Sequence, residues 1–464
     1  MSTTVNEKRS SPTGRQRWLI GLALVAILGA ALLLRLYNNN WDEYMHAHPD
    51  ERWIVMVAGE MHMPTNLAQA LDPRLSPFNP LWNLSQGQVR HFAYGHLPLY
   101  LLTVSAAGLH AVGQALRDAG ASGQWVEWLV RANSFDGFNL VGRVLSALFD
   151  TATVLLTFLI GRRVYDWRAG LLGAAFVALT VTHIQLSHFY AFDPVAAFFI
   201  VLAVYGGIRM AQDGTWGAAA LAGLAVGAAV SSKFSALPIL AVPVVAAAAR
   251  YWAIRRAASL GAAAEPSPRG RATRAPQIVY LLIVAGLMAL LAFAVTSPFA
   301  LLDWDAFRQS VITEQGAMVR GQADFPYTRQ YRGTTPYLYN IEQQVRWGMG
   351  WPLGLLAFSG FGWVLVRALR GRAKGEEWIM LAWCVPYFAL TGLFMVKFMR
   401  YMLPLLPFFS LMGAALLVRL WRGPNWLTAA GASPADAAAS DAAPAATDAL
   451  HADAAAPDAA PVAI

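Results

Sequence analysis

Runs of roughly 17–22 apolar residues recur along this chain, each about long enough to carry a helix across ~30 Å of hydrocarbon. Inside a bilayer every backbone N–H and C=O must be paired within the protein, and a helix does this within its own segment. The recurrence therefore restricts the chain to an all-α, polytopic membrane fold. Composition agrees: 57% of residues are hydrophobic, 13% are charged and the mean hydropathy is +0.42, outside the range of soluble globular domains. The net charge of +8 does not point to nucleic acid, because the basic residues sit in short loops between apolar runs, as membrane topology requires. The single cysteine, Cys384, lies inside an apolar run and excludes an intramolecular disulfide or a cysteine-based metal site. The run after Arg17 is too long for a signal-peptide core and lacks a clear small-residue cleavage site, so it is expected to be a retained first helix.

Charge sets the topology. Residues 1–17 carry Lys8, Arg9, Arg15 and Arg17 and are expected to be a cytoplasmic tail, followed by a spanning helix over 18–37. Residues 38–137 then form a first large outer loop rich in Pro, His and Trp. Its apolar stretch 91–116 is long enough to be taken for a span. If it crossed, the basic clusters around Arg162 and Arg163, Arg209, Arg250 to Arg274, and Arg367 to Lys374 would all fall outside. If it does not, nearly all of them fall inside. The stretch is therefore expected to be a re-entrant or juxtamembrane element, leaving about ten spanning helices. The same alternation makes 297–346 a second large outer loop, and the membrane domain as a whole runs over 18–422. Residues 423–464, dominated by Ala, Pro and Asp, have too little apolar surface to offset ordering entropy and are expected to be a disordered cytoplasmic tail. The basic stretch around 265–276 is expected to be mobile as well.

The residues able to do chemistry cluster in the expected outer segments. Asp50 and Glu51, in His48-Pro49-Asp50-Glu51, follow the first helix. Adjacent helical residues point about 100° apart, so the two cannot form a symmetric pair: one faces a reacting group while the other orients it or makes a structural contact. A partly desolvated carboxylate there can act as general base toward a hydroxyl. Asp50 also fits as a simple helix cap, and Asp42-Glu43 is a second acidic pair close by. Asp193, followed by Pro194, matches a helix start and falls on the same side as Asp50. His188 could join these carboxylates around a divalent cation, although nothing in the sequence requires a metal. Lys233, Lys397 and Arg400 are cations at outer helix ends, against the general charge bias. They suit the phosphate of an anionic lipid, or ordinary snorkelling to headgroups. The second outer loop mixes Glu314, Tyr331 and other tyrosines with arginines, a composition that fits a sugar or headgroup and equally a solvated, aromatic-rich interface. No phosphate-cradling Gly-rich loop, HExxH or nucleophile elbow occurs. The Gly-rich stretch 217–227 is expected to pack closely against neighbouring helices.

Taken in order, several segments resemble the polyprenyl-phosphate-sugar-dependent glycosyltransferases of GT-C type, the family of protein O-mannosyltransferases and aminoarabinose transferases. They are Asp50-Glu51, then Gly95-His96-Leu97-Pro98-Leu99-Tyr100, Gly142-Arg143-Val144, Gly161-Arg162-Arg163, Asp193, Ser232-Lys233-Phe234 and Arg400-Tyr401-Met402-Leu403-Pro404. The resemblance implies a GT-C fold with juxtamembrane helices in the first outer loop. It also implies sugar transfer, with inversion, from a polyprenyl-phosphate donor to a lipid, glycan or protein acceptor outside the membrane. By position it makes Asp50 the catalytic base, with Asp193 helping to organise the site. Lys233, Arg400 and Lys397 would hold the donor phosphate, and His96, Tyr100, His188, Glu314 and Tyr331 would lie toward the substrates. The single Pro98 and the duplicate Asp42-Glu43 depart from the family pattern and leave the base open between Asp50 and Asp42. A transporter of lipid-linked intermediates is the alternative. It would place ionisable residues along a path through the spans, whereas the span interiors read as nearly free of charge.

Overall fold

The computed structural model describes residues 13–259 and 275–423. The expected N-terminal tail up to residue 12, most of the basic 265–276 stretch and the C-terminal tail from 424 lie outside the described residues. The chain divides into a large unit, Pro12–Leu416, and a second made of Met1–Ser11 with Leu417–Ile464. The site lies entirely in the large unit.

Helices make up nearly all regular structure, and strands among the described residues are limited to a ribbon pairing Trp82–Asn83 with Gln88–Val89 in the first large loop. The first helix, Gly14–Leu36, starts before its apolar run. Thr13 and Gln16 close a capping box there, each side chain bonding the other's backbone N–H. Phe135–Val164 packs along Trp167–Leu179 and Phe192–Asp213, and Trp216–Ser232 lies between Phe192–Asp213 and Ala275–Thr296. Small residues permit that last contact. A side-chain carbon at Gly223 would collide with the carbonyl of Ala285, so the backbones approach as the Gly-rich stretch implies. Elsewhere large apolar side chains such as Leu22, Val25, Leu287 and Leu290 stay exposed on the helices, a surface that only lipid can cover.

Among the described residues, eight helices are long and apolar enough to cross a membrane. One of them is His96–Asp118, the stretch that charge alternation sets across the outer surface. Two further helices, Trp167–Leu179 and Trp216–Ser232, are apolar but shorter than these spans. Contacts keep His96–Asp118 at one end of the bundle. Gly95, just before it, lies against the backbone of Ser231 and Ser232, at the C-terminal end of the Trp216–Ser232 helix. Near its other end, Gly113 abuts Leu129 and Val130, just ahead of the start of Phe135–Val164.

The loops sort into two groups, as the charge alternation requires. At one end Trp41 donates to the His188 carbonyl at 3.0 Å and Met395 N–H to Val319 at 2.9 Å. At the other, Arg163 pairs with Asp213 at 3.2 Å, Gln212 donates to Glu376 at 2.7 Å and Lys374 to the Val164 carbonyl at 3.1 Å.

Span interiors differ from the sequence reading, because they are not free of charge. Arg35 meets Asp150 at 2.6 Å, Asp150 meets His183 at 2.6 Å, and the remaining Arg35 nitrogens donate to the carbonyls of Ala31, Val177 and Ala178. All three side chains are fully buried. The partners lie too far apart in sequence for the pairing to be legible. The network ties the first helix to three others, Phe135–Val164, Trp167–Leu179 and Val181–Leu186, and is sealed from solvent, so it lines no path.

Candidate active site

His48 caps the helix Pro49–Gly59: its Nδ1 accepts the Glu51 N–H at 3.2 Å, and Pro49 takes the first helical position, where a missing N–H costs nothing. Asp50 and Glu51 therefore fall in the first turn, and capping is His48's task rather than Asp50's. The two carboxylates part as the helical angle requires. Glu51 turns inward and is completely buried. It takes two hydrogen bonds from Arg143, at 3.0 and 2.8 Å, and the Tyr190 N–H at 2.7 Å. Asp42 shares the same guanidinium at 3.0 and 2.9 Å and also accepts the Ala47 N–H at 3.0 Å. Burial pushes the Asp42 carboxyl up, but these bonds outweigh it and hold it below its ordinary value. The Arg143 hub fastens the first loop to the Phe135–Val164 helix, and it consumes the acceptor capacity of Glu51 and Asp42.

Asp50 turns the other way. It pairs with Arg400, from the 3-10 turn Met399–Leu405, and accepts from the Tyr94 hydroxyl. About a quarter of each side chain of the pair is accessible, 24% for Asp50 and 22% for Arg400, against none for Glu51. Beside them Lys233 meets Asp193 at 2.6 Å and lies 5.0 Å over the Tyr401 ring. Asp193 is not a cap: the cap position is Ala191, without a side-chain bond, and Asp193 sits in the first turn of Phe192–Asp213 with its carboxylate on Lys233. Burial pushes the Asp50 carboxyl up, while the Arg400 and His48 charges and the Arg400 and Tyr94 hydrogen bonds more than reverse this and hold it below the usual carboxylate range. Burial also pushes the His48 imidazole below its ordinary value.

Not every expected residue joins this cluster. Lys397 lies apart, bonded to the Thr334 hydroxyl at 3.1 Å and the Met395 carbonyl at 3.3 Å. Both His188 ring nitrogens lie within 2.9 Å of backbone carbonyls, those of Ile184 and Tyr37. Among the described residues no group of three His, Cys, Asp or Glu side chains is placed to hold a metal ion, and the acids near His188 are already paired with cations. His96 is buried between the Tyr100 and Phe234 rings without a hydrogen-bond partner, and Tyr100 donates to the Phe78 carbonyl at 3.0 Å. Glu314 of the second outer loop pairs with His91 of the first at 2.8 Å, and Tyr331 packs against Phe398 and Tyr339. The reading from sequence passed over Tyr94 and the hub role of Arg143. Tyr94 stands two residues before His96 in Phe92-Ala-Tyr94-Gly-His96, and that proximity to a polar helix start is its one sequence signal.

Residues 118–302 match the profile of the dolichyl-phosphate-mannose-protein mannosyltransferase family. Over 337 residues the chain is 26% identical to the undecaprenyl phosphate-alpha-4-amino-4-deoxy-L-arabinose arabinosyl transferase 1 of Pseudomonas fluorescens, an alignment covering 71% of this chain and 55% of that protein. The chain thus spans little more than half the length of that relative. The crystal structure of the Archaeoglobus fulgidus oligosaccharyltransferase in the apo form superposes with a TM-score of 0.50 at 16% identity, over 90% of this chain and 53% of that one. This chain is accordingly an integral, multi-pass membrane protein with the GT-C fold, similar over residues 118–302 to the dolichyl-phosphate-mannose-protein mannosyltransferases.

Proposed function

We propose that the protein is a membrane glycosyltransferase that moves a sugar from a polyprenyl-phosphate donor to an acceptor hydroxyl or amine at the outer face of the membrane. One observation carries this reading. One accessible carboxylate, Asp50, and two accessible cations, Arg400 and Lys233, converge at one end of the bundle, with Lys233 held by the buried Asp193, while the neighbouring Glu51–Arg143–Asp42 hub is sealed. The family and relative matched by the sequence carry lipid-phosphate-linked sugars in their names, which supports the same chemistry here.

In this mechanism the donor phosphate docks on Arg400 and Lys233. A phosphate competing for Arg400 loosens its hold on Asp50, raising the basicity of that carboxylate at the moment the donor is present. Asp50 accepts the proton of the acceptor O–H or N–H as that atom bonds to the anomeric carbon. The bond from the anomeric carbon to the phosphate oxygen breaks, and its electron pair leaves with the polyprenyl phosphate. Arg400 and Lys233 stabilise the charge that grows on that oxygen. Attack opposite the leaving phosphate inverts the anomeric configuration. Asp193 holds Lys233 in position, and Glu51 holds the Asp50 helix through Arg143. The membrane domain runs over residues 18–422 between cytoplasmic tails 1–17 and 423–464, and the site faces outward.

The reading is tested by incubating the purified protein with radiolabelled polyprenyl-phosphate sugars and a membrane extract. Label is expected to pass to an acceptor from at least one donor. Donor binding without transfer for every donor and acceptor fraction would favour carriage of the lipid-linked sugar and overturn the enzyme reading.

A further inference from the structure

A second cationic recess lies beside the Asp50 cluster. The chain at Met395 and Val396 is pinned to the second outer loop, both N–H groups facing the Val319 carbonyl, at 2.9 and 3.4 Å. The two segments enclose a cavity of about 520 Å³, a size suited to a small-molecule group, with Arg320, Tyr331, Thr334 and Lys397 on its polar side and Leu390 and Leu393 among its apolar lining. Tyr331, in the cavity lining, lies 5.5 Å from the Phe398 ring, and Phe398 and Tyr401 lie under Arg400 and Lys233 at 4.8 and 5.0 Å; neither Arg400 nor Lys233 lines the cavity.

The cavity holds positive charge that the protein leaves unneutralised. Lys397 is buried, 5% exposed, and its ammonium meets only the Thr334 hydroxyl and the Met395 carbonyl. Neither it nor Arg320 has a carboxylate within 4.0 Å among the described residues. The nearby Asp324 is committed to Arg329 and Arg332, at 2.7 Å each. A buried cation without a counter-ion is costly, and burial pushes the Lys397 ammonium below its ordinary value. Lysine is rarely retained in such a place unless an anion completes it. The apolar lining says what the anion is attached to. Leu390 and Leu393 stand 43% and 64% exposed at the C-terminal end of the Gly375–Leu393 helix, on a face that only hydrocarbon would cover.

We infer that this recess binds the phosphate headgroup of a membrane lipid, with Lys397, Arg320 and Thr334 on the phosphate and the acyl chain along Leu390 and Leu393. The site is separate from the donor cluster, and the inference stands whether or not the protein transfers sugars.

Native mass spectrometry of the full-length protein in neutral detergent, titrated with phosphatidylglycerol, tests it. One bound lipid is expected whose affinity falls about tenfold or more in Lys397→Met and measurably in Arg320→Gln, an exposed position where folding is not at stake. Lys397→Arg should restore most of it. Unfolding temperatures recorded without lipid show that the variants are folded. The inference is overturned if lipid retention is the same in Lys397→Met and Arg320→Gln as in the wild type. It is equally overturned if the loss follows Lys233→Met instead, which would put the lipid in the donor cluster. Inorganic phosphate displacing the lipid at equal concentration would overturn the lipid as ligand and leave a free-anion site.

Discussion

Asp50 and Glu51 are chemically near-equivalent neighbours with opposite surroundings, so substitutions should separate them. Glu51→Gln strips a fully buried guanidinium of one of its two carboxylates. The expected cost is about 3–5 kcal/mol, visible as a lower unfolding temperature in detergent and a lower yield of folded protein. A Glu51→Gln protein as stable as wild type would deny the hub its structural role. For Asp50 the discriminating variable is pH. Its carboxyl titrates below the ordinary Asp value of about 3.9. It therefore contributes stability that is fully present above that ordinary value and is lost as pH falls through the lower folded value. Because kcat/KM reports the free enzyme, its acid limb should lie below the ordinary Asp range. The acid limb of kcat should lie higher, because in the complex the donor phosphate competes for Arg400. A pH profile in which both limbs coincide near neutrality would point to a different base. Sequence alone left Asp50 and Asp42 as rivals, because the guanidinium that occupies Asp42 belongs to Arg143, about a hundred residues away and on another helix.

Among the elements, the helix His96–Asp118 has the length and composition of a span but the contacts of a surface helix. What keeps it there is close approach at Gly95, where a methyl group would run into the carbonyl oxygens of Ser231 and Ser232. Both obstacles are backbone and cannot swing aside. Gly95→Ala is expected to cost about 1–3 kcal/mol and to slow transfer through displacement of the neighbouring Tyr94 and Lys233, measurable by thermal unfolding beside the transfer assay. Unchanged stability and rate would mean that the contact is not a constraint. The helices themselves were legible because apolar runs are a strong signal. Their end chemistry was less so. Asp193-Pro194 has the pattern of a capping pair, yet the helix starts two residues before Pro194, at Phe192, and the carboxylate is drawn to Lys233, a partner supplied by tertiary packing. Lys397 and Arg400, three residues apart, were grouped as one phosphate site. Arg400 belongs to the Met399–Leu405 turn and pairs with Asp50, whereas Lys397, in the chain just before that turn, bonds the Thr334 hydroxyl and the Met395 carbonyl.

For the whole molecule, the sorting of loops into two ends was legible from charge alone, because positive-inside bias acts on loops and not on packing. The Arg35–Asp150–His183 network was not, since its members are scattered over three helices. The proposed orientation makes a direct prediction. The single cysteine, Cys384, is fully buried, so an introduced thiol reports alone. Gln88→Cys in the exposed ribbon should react with a membrane-impermeant maleimide in intact cells, and Arg372→Cys only after the membrane is breached. The reverse pattern would invert the topology. The account as a whole turns on proton removal by Asp50, and single-turnover transfer by Asp50→Asn from a saturating labelled donor measures it most directly. The expected result is a folded variant that retains the donor and transfers its sugar about 10²–10⁴ times more slowly than wild type. Near-wild-type transfer by that variant would contradict the mechanism.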